Sequence, residues 1–344
     1  MQIGIDSFVA SPIDDATGTA ADPAGRMARL LEEVETADRA GLDAFGVGEH
    51  HRPEYLDSAP AVILAAAAAR TTRIRLASAV TVLSAADPVR VFQQFATVDL
   101  ISNGRVDLVA GRGSFGEAFT LFSLNPADYD SLFAEKLQLL LTLRDDANPI
   151  WSGRHRPPLG GQGVYPRPVQ NPLPVWVGVG GTPASFERAG RLGLPLMVAI
   201  IGGTPDRFRP LVDLYRQAGR EAGHDASDLR VGVHAFGYAA ETDDEAADGF
   251  FPGYAADMNR IGRERGWPPM TRDRFDRLLA SGGALAIGSP ETVAAKVREY
   301  DAALGGIDRF QFQMSIARLP HEKMLRAIEL IGTKVAPLIR QPSA

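Results

Sequence analysis

Short apolar runs rich in β-branched residues alternate with longer segments of helical period eight times along the chain. This alternation limits the fold more than any other feature. The first strand is expected at Ile3–Phe8, followed by a helix at Pro23–Arg39. In that helix Met27, Leu30, Leu31, Val34 and Ala37 share one face, and Gly41 ends it. The second pair is Asp43–Val47 and an alanine-rich helix capped by Ser58 and reaching Arg70. The third is Ile74–Leu83 and Pro88–Ser102, and the fourth Arg105–Ala110 and Pro126–Arg144. The fifth is Val175–Val179 with a helix to residue 193, and the sixth Pro195–Ile200 and Pro205–Ala222. Leu229–Tyr238 with Ser289–Leu304, and Arg309–Met314 with Pro320–Ile339, complete the set. Such alternation predicts a parallel sheet. The count of eight predicts a closed barrel, not an open doubly wound sheet. The expected fold is therefore α/β, a single (β/α)8 TIM barrel over residues 1–344. Excursions are expected at 145–174 after strand four and at 241–284 after strand seven.

Composition narrows the function. A net charge of −6 with scattered basic residues argues against a nucleic-acid groove. The chain has no cysteine, which excludes disulfides, thiol nucleophiles and thiolate metal sites. The N-terminus enters a strand pattern at once, with Asp6 inside it, so no signal peptide is expected. The longest apolar run, Ala59 to Ala69, is too short to span a bilayer. A cytoplasmic protein with no membrane partner is expected.

In this fold the chemistry belongs at the C-terminal strand ends. Strand five runs straight into Gly180-Gly181-Thr182-Pro183. Paired glycines before a helix start, with Thr182 as N-cap and Pro183 in the first turn, suit an anion on the helix N-terminus. The alternative is a plain strand-to-helix turn. The stretch is neither a Walker loop nor a GxGxxG fingerprint. Strand four ends in Gly111-Arg112-Gly113-Ser114, and a guanidinium there could share the same phosphate. Strand two ends in Glu49-His50-His51, which leaves three readings open. These are metal ligation, acid/base work by one histidine, and a satisfied loop in which Glu49 pairs with Arg52. His234 is expected on the core or pocket wall, and His155, His224 and His321 on the surface. Asp99 and Asp107 have no partner at a recognisable spacing, and no Gly-x-Ser-x-Gly elbow is present.

Several of these stretches resemble the bacterial luciferase-like flavin-dependent monooxygenases. They are Ala44-Phe45-Gly46-Val47-Gly48-Glu49-His50-His51, Asp87-Pro88-Val89-Arg90, Ile101-Ser102-Asn103-Gly104-Arg105 and Ala110-Gly111-Arg112-Gly113. Gly180-Gly181-Thr182 with Ser185, and Ile287-Gly288-Ser289-Pro290-Glu291-Thr292, follow in the family's order. The resemblance covers nearly the whole chain and implies an eight-stranded barrel that binds reduced FMN. It implies phosphate contacts at Arg112, Gly181, Thr182 and Ser185. It implies a flavin ring over Ala79-Val80, where relatives often carry a non-prolyl cis peptide. The full cofactor set implied is Ala79, Val80, Arg112, Gly113, Ser114, Val179, Gly180, Gly181, Thr182 and Ser185, with no metal. His50 is implied as the catalytic proton donor or acceptor, with His51 a weaker neighbour. Two positions depart from the luciferase pattern. Gly111 stands where luciferase has a reactive cysteine, and Asp87 where it has a histidine. Neither removes flavin binding, but the resemblance then implies an oxidoreductase rather than a light emitter.

The resemblance also implies a mobile lid in the excursion after strand seven, here carrying Phe250, Phe251, Tyr254, Met258 and Trp267. The alternative is that these aromatics pack the excursion onto the barrel. Relatives dimerise through helices two and three, and the second helix here is apolar all round, so it wants cover on two sides. The expected activity is a two-component monooxygenase that uses FMNH2 and O2 on a small organic substrate. FMNH2 would come from a separate flavin reductase, because the chain has no nicotinamide fingerprint. The alternatives are a deazaflavin-dependent dehydrogenase on the same barrel and a non-catalytic flavin-binding protein. A metal-dependent hydrolase is a more distant reading.

Overall fold

The computed structural model describes residues 1–14, 16–17, 19–113 and 115–340. Eight parallel strands close into a barrel: β1 (Gln2–Ser7), β2 (Ala44–Val47), β3 (Arg75–Ser78), β4 (Val106–Gly111), β5 (Val175–Val179), β6 (Leu196–Ile200), β7 (Val231–Ala239) and β8 (Arg309–Gln313). Val175 pairs with Leu108 and Gly4 pairs with both Gln311 and Ala44, so no edge is left open. Nearly every strand residue is buried, as expected where helices cover one face and the barrel interior the other.

The outer helices are α1 (Pro23–Arg39), α2 (Pro60–Ala68), α3 (Pro88–Ser102), α4 (Tyr129–Asp145), α5 (Pro183–Arg191) and α6 (Arg209–Glu221). They are followed by α7 (Asp243–Arg265), α8 (Arg272–Leu279), α9 (Pro290–Leu304) and α10 (His321–Leu330). Among the described residues no helix is long and apolar enough to cross a membrane.

Several boundaries depart from the sequence expectation. The third strand does not run unbroken to Leu83. It stops at Ser78 and resumes at Thr81–Val82, with a cis Ala79–Val80 peptide between the two pieces. Ser58 does not cap α2: the helix starts from Ala59 without a side-chain cap, because Pro60 already fixes the first turn. A short helix at Glu117–Leu121 precedes α4, and 3-10 turns lead into α4 and α6. The 145–174 excursion holds an antiparallel pair, Ile150–Trp151 with Leu159–Gly160, and the 241–284 excursion is mainly α7 and α8. An added strand, Ala286–Gly288, extends the sheet beside the end of β7.

Asp99 and Asp107 do have partners. Asp99 accepts from the Gln170 backbone at 2.9 Å and its amide at 2.7 Å, which ties the first excursion to α3. Asp107 is buried in the barrel, paired with Arg75 at 2.5 Å and Arg309 at 2.8 Å. The Arg309 guanidinium lies over the Trp176 ring, 4.5 Å from its centroid. Burial alone would push the Asp107 carboxyl up, but the two guanidiniums hold it below the usual carboxylate range.

Candidate active site

A cavity of about 490 Å³ opens at the C-terminal mouth of the barrel. That is an ordinary size for a cofactor or small-molecule site. A second groove, of about 470 Å³, lies between α4 and α5 on the outside of the barrel, away from the strand ends.

One wall of the cavity is the Ala79-Val80 step. Two glycines make room for it. A Cβ on Gly178 would lie 2.5 Å from a Val80 methyl carbon, and one on Gly111 would collide with the same side chain. Ser78 pins the step from below, donating to Val109 O at 3.1 Å and accepting from Val109 N at 2.9 Å. The result is an apolar step in the cavity wall, packed against glycines on two neighbouring strands. The glycine at 111, where luciferase has cysteine, is thus demanded by packing.

Arg112, Gly113, Gly180, Gly181 and Thr182 meet at one side of the mouth. Arg112 donates to the Thr182 hydroxyl at 3.0 Å and pairs with the exposed Asp130 at 2.5 Å. Its guanidinium stacks over Tyr129, whose hydroxyl donates to Gly113 O at 2.7 Å. Thr182 occupies the N-cap position of α5, but its hydroxyl goes to Arg112 and makes no cap bond. A Cβ on Gly180 or Gly181 would meet nothing within 4 Å, so packing does not require glycine there. What glycine provides is close backbone approach to an anion at the helix start. Val179 also lines the cavity. Ser185 does not reach the wall: it is buried in the first turn of α5, its N–H bonded to Thr182 O at 2.9 Å. Ser114 lies outside the described residues.

His50 faces the same cavity, and Asp57 holds it. One Asp57 oxygen lies 2.8 Å from His50 Nδ1, and the other accepts the His50 backbone N–H at 3.1 Å. The carboxyl is fully buried, and a Cβ on Gly48 would lie 2.6 Å from it. A carboxylate can only accept, so the pair places the proton on Nδ1 and leaves Nε2 for the cavity. Burial pushes the Asp57 carboxyl up, and the imidazole beside it opposes the rise. Rings of Phe8, Tyr55 and Phe115 enclose His50 with centroids 4.6, 4.7 and 5.6 Å away. Burial pushes the Tyr55 phenol up to about 12, so it stays protonated.

Glu49, which also lines the cavity, and His51 bond to each other. Glu49 does not pair with Arg52. It lies 3.3 Å from His51 Nε2 and accepts Val82 N–H at 2.8 Å, clipping the loop to the strand beyond the cis peptide. Arg52 instead joins Glu54, Glu117 and Glu264, linking the loop to α7. Among the described residues no group of three or more histidines and carboxylates could hold a metal ion.

The excursion aromatics divide into two sets. Phe250 and Tyr254 are buried against Tyr238, Phe236 and Phe275 and fasten α7 to the barrel. Met258 and Trp267 line the cavity, with Ile261 and Arg265. His234 stands on the cavity wall, as expected, and it pairs with Asp6.

The family model for luciferase-like monooxygenases matches residues 1–306. The chain belongs to this family. Among relatives, it is 28% identical to the 4-hydroxyprotoasukamycin monooxygenase of Streptomyces nodosus subsp. asukaensis, over 92% of this chain and 88% of that protein. Among solved structures, the monooxygenase RslO1 of Streptomyces bottropensis superposes with a TM-score of 0.84 at 25% identity, covering 98% of this chain and 99% of that one. The oxygenating constituent of 3,6-diketocamphane monooxygenase from Pseudomonas putida, solved with FMN, gives 0.79 at 20% identity, with 99% of each chain covered. This luciferase-like barrel is therefore an enzyme of the monooxygenase and oxidoreductase class.

Asp57 and Asp6 were missed from the sequence as site residues, and Arg52 was expected on Glu49 but pairs elsewhere. An acid one residue before a serine expected as a cap was the available signal for Asp57. Asp6 and His234 are 228 positions apart and carry no shared motif.

Proposed function

We propose that this luciferase-like protein is an FMN-dependent monooxygenase that takes FMNH2 and O2. The observation that carries the reading is the joining of a cation–helix-terminus corner, Arg112 with Gly181 and Thr182, to the apolar Ala79-Val80 step in one cavity. Arg112, the Thr182 hydroxyl and backbone N–H groups at Gly180 and Gly181 would hold the phosphate. Ala79 and Val80 would carry the ring system. Bound reduced FMN supplies the two electrons with which one oxygen atom of O2 enters the substrate and the other leaves as water. His50 Nε2 gives or takes a proton at the substrate, with Asp57 fixing the imidazole. Phe115, Met258 and Trp267 keep water from the cavity. In this reading the protein works in the cytoplasm beside a separate flavin reductase, and the whole chain acts as one barrel unit.

Anaerobic FMNH2-loaded protein mixed with O2 tests the reading. Oxidised-flavin absorbance is expected to return more slowly than for free FMNH2. An unchanged rate, together with tighter binding of a deazaflavin than of FMN, would favour a dehydrogenase.

We also propose a homodimer through α2 and α3. Val62 on α2 is 67% exposed, and Leu100 and Ile101 at the end of α3 are 46% and 48% exposed, an apolar surface in search of cover. Light scattering should give twice the 36.9 kDa chain mass, and Val62→Asp should halve it.

A further inference from the structure

The His234–Asp6 pair has no task in the reading above. His234 is on β7 and Asp6 on β1, and His234 Nδ1 lies 2.5 Å from Asp6 Oδ2. Both are buried, and both line the cavity. The sequence makes room for them with glycine: a Cβ on Gly46 would collide with the Asp6 carboxyl, and one on Gly4 with Gln311. The Gln311 amide donates to the other Asp6 oxygen at 3.1 Å. The Phe8 ring stacks on the imidazole, 5.6 Å away with planes 19° apart. The ring is therefore fixed at one edge and across one face.

A buried polar pair is costly unless each member is satisfied. The carboxylate accepts the Nδ1 proton, so in the neutral imidazole Nε2 is an acceptor facing the cavity. Beyond Asp6 and Gln311, its neighbours are apolar, among them Phe8, Ala199 and Phe236. A hydrogen-bond donor on an otherwise apolar molecule complements this part of the cavity. Aromatic walls at Phe8, Phe115 and Trp267 favour a flat one.

We propose that His234, positioned by Asp6, is a substrate-binding residue that accepts a hydrogen bond from the hydroxyl of a planar, largely apolar substrate of the phenol or enol class. This rests on the FMN reading of the cavity. A ring N–H of the flavin is the other source of a donor, since Asp6 lies across Gly46 from Ala79. The experiment separates these cases.

The variant His234→Asn keeps an amide donor where Nδ1 meets Asp6 and presents no nitrogen in the place of Nε2. Wild type and variant are first titrated with FMN. FMN-loaded protein is then titrated calorimetrically with 2-naphthol and with 2-methoxynaphthalene, which lacks the donor. Wild type is expected to bind the naphthol about tenfold more tightly than the ether, the effect of one buried acceptor left unpaired. His234→Asn should bind both alike, with FMN affinity unchanged. His234→Gln, whose amide oxygen can reach the place of Nε2, should recover part of the preference. Asp6→Asn, which no longer fixes the proton on Nδ1, should lose it and serves if the first variant does not fold. Equal binding of the two probes by wild type, binding of neither, or a preference retained in both His234→Asn and Asp6→Asn would overturn the proposal. A loss falling on FMN instead would assign the pair to the flavin and overturn it too. Failure of wild type to bind FMN at all would overturn the parent reading.

Discussion

Replacing His50 by alanine is expected to cut turnover by about 10²–10⁴-fold, the usual worth of a positioned acid or base. FMN affinity should stay within about twofold, because among the described residues His50 hydrogen-bonds Asp57 and none of the phosphate corner. The Asp57 clamp holds both the backbone and the ring of His50. Asp57→Asn should therefore show a smaller loss than His50→Ala. The amide fills the same space but can donate to Nδ1 and turn the tautomer over. Steady-state turnover of both variants with the flavin titration alongside is the check. A His50→Ala enzyme that binds FMN and turns over normally would take the acid/base role away from His50.

The second large effect is on stability. Asp107→Ala leaves Arg75 and Arg309 without their shared carboxylate inside the barrel. Breaking a buried pair by removing one partner costs about 3–5 kcal/mol. Arg309 is the more exposed to this loss in energetic terms, since it is buried and its Nη1 already lacks a partner. The pH dependence follows in sign. The folded Asp107 carboxyl lies below its ordinary range, so its stabilisation is present above the unfolded value of about 4 and is lost as pH falls through the folded value. Urea unfolding of wild type and Asp107→Ala at neutral and acid pH should show a gap that narrows on acidification. A gap that stays constant would mean that the pair is not what holds the barrel there.

The barrel was legible because its strands are short and buried on both faces. Runs such as Val175-Trp176-Val177 then read as continuous apolar stretches between turn signals. The phosphate corner was legible because a glycine pair, a threonine and a proline stand together at one strand end. What stayed hidden were pairings made by barrel closure. Asp107 meets Arg309 across 202 positions, and Asp6 meets His234 across 228. No local pattern announces either. Local chemistry also misled in places. Ser58 looked like a cap, but Pro60 sets the helix start and the adjacent acid turns inward to His50. The Thr182 hydroxyl looked like a cap and serves Arg112 instead. Ser185 shares the corner in sequence but sits one turn into the helix, with its side chain off the cavity wall.

FMN bound in the cavity as proposed would have its phosphate at Arg112. The most direct measurement is a fluorescence titration of wild type and Arg112→Ala with FMN and with riboflavin, which lacks the phosphate. Wild type is expected to bind FMN about 10–100-fold more tightly than riboflavin, in keeping with a charge-assisted contact. Arg112→Ala should remove most of that difference and leave riboflavin binding unchanged. Equal affinity of wild type for the two flavins, or an Arg112→Ala variant that weakens both alike, would contradict it.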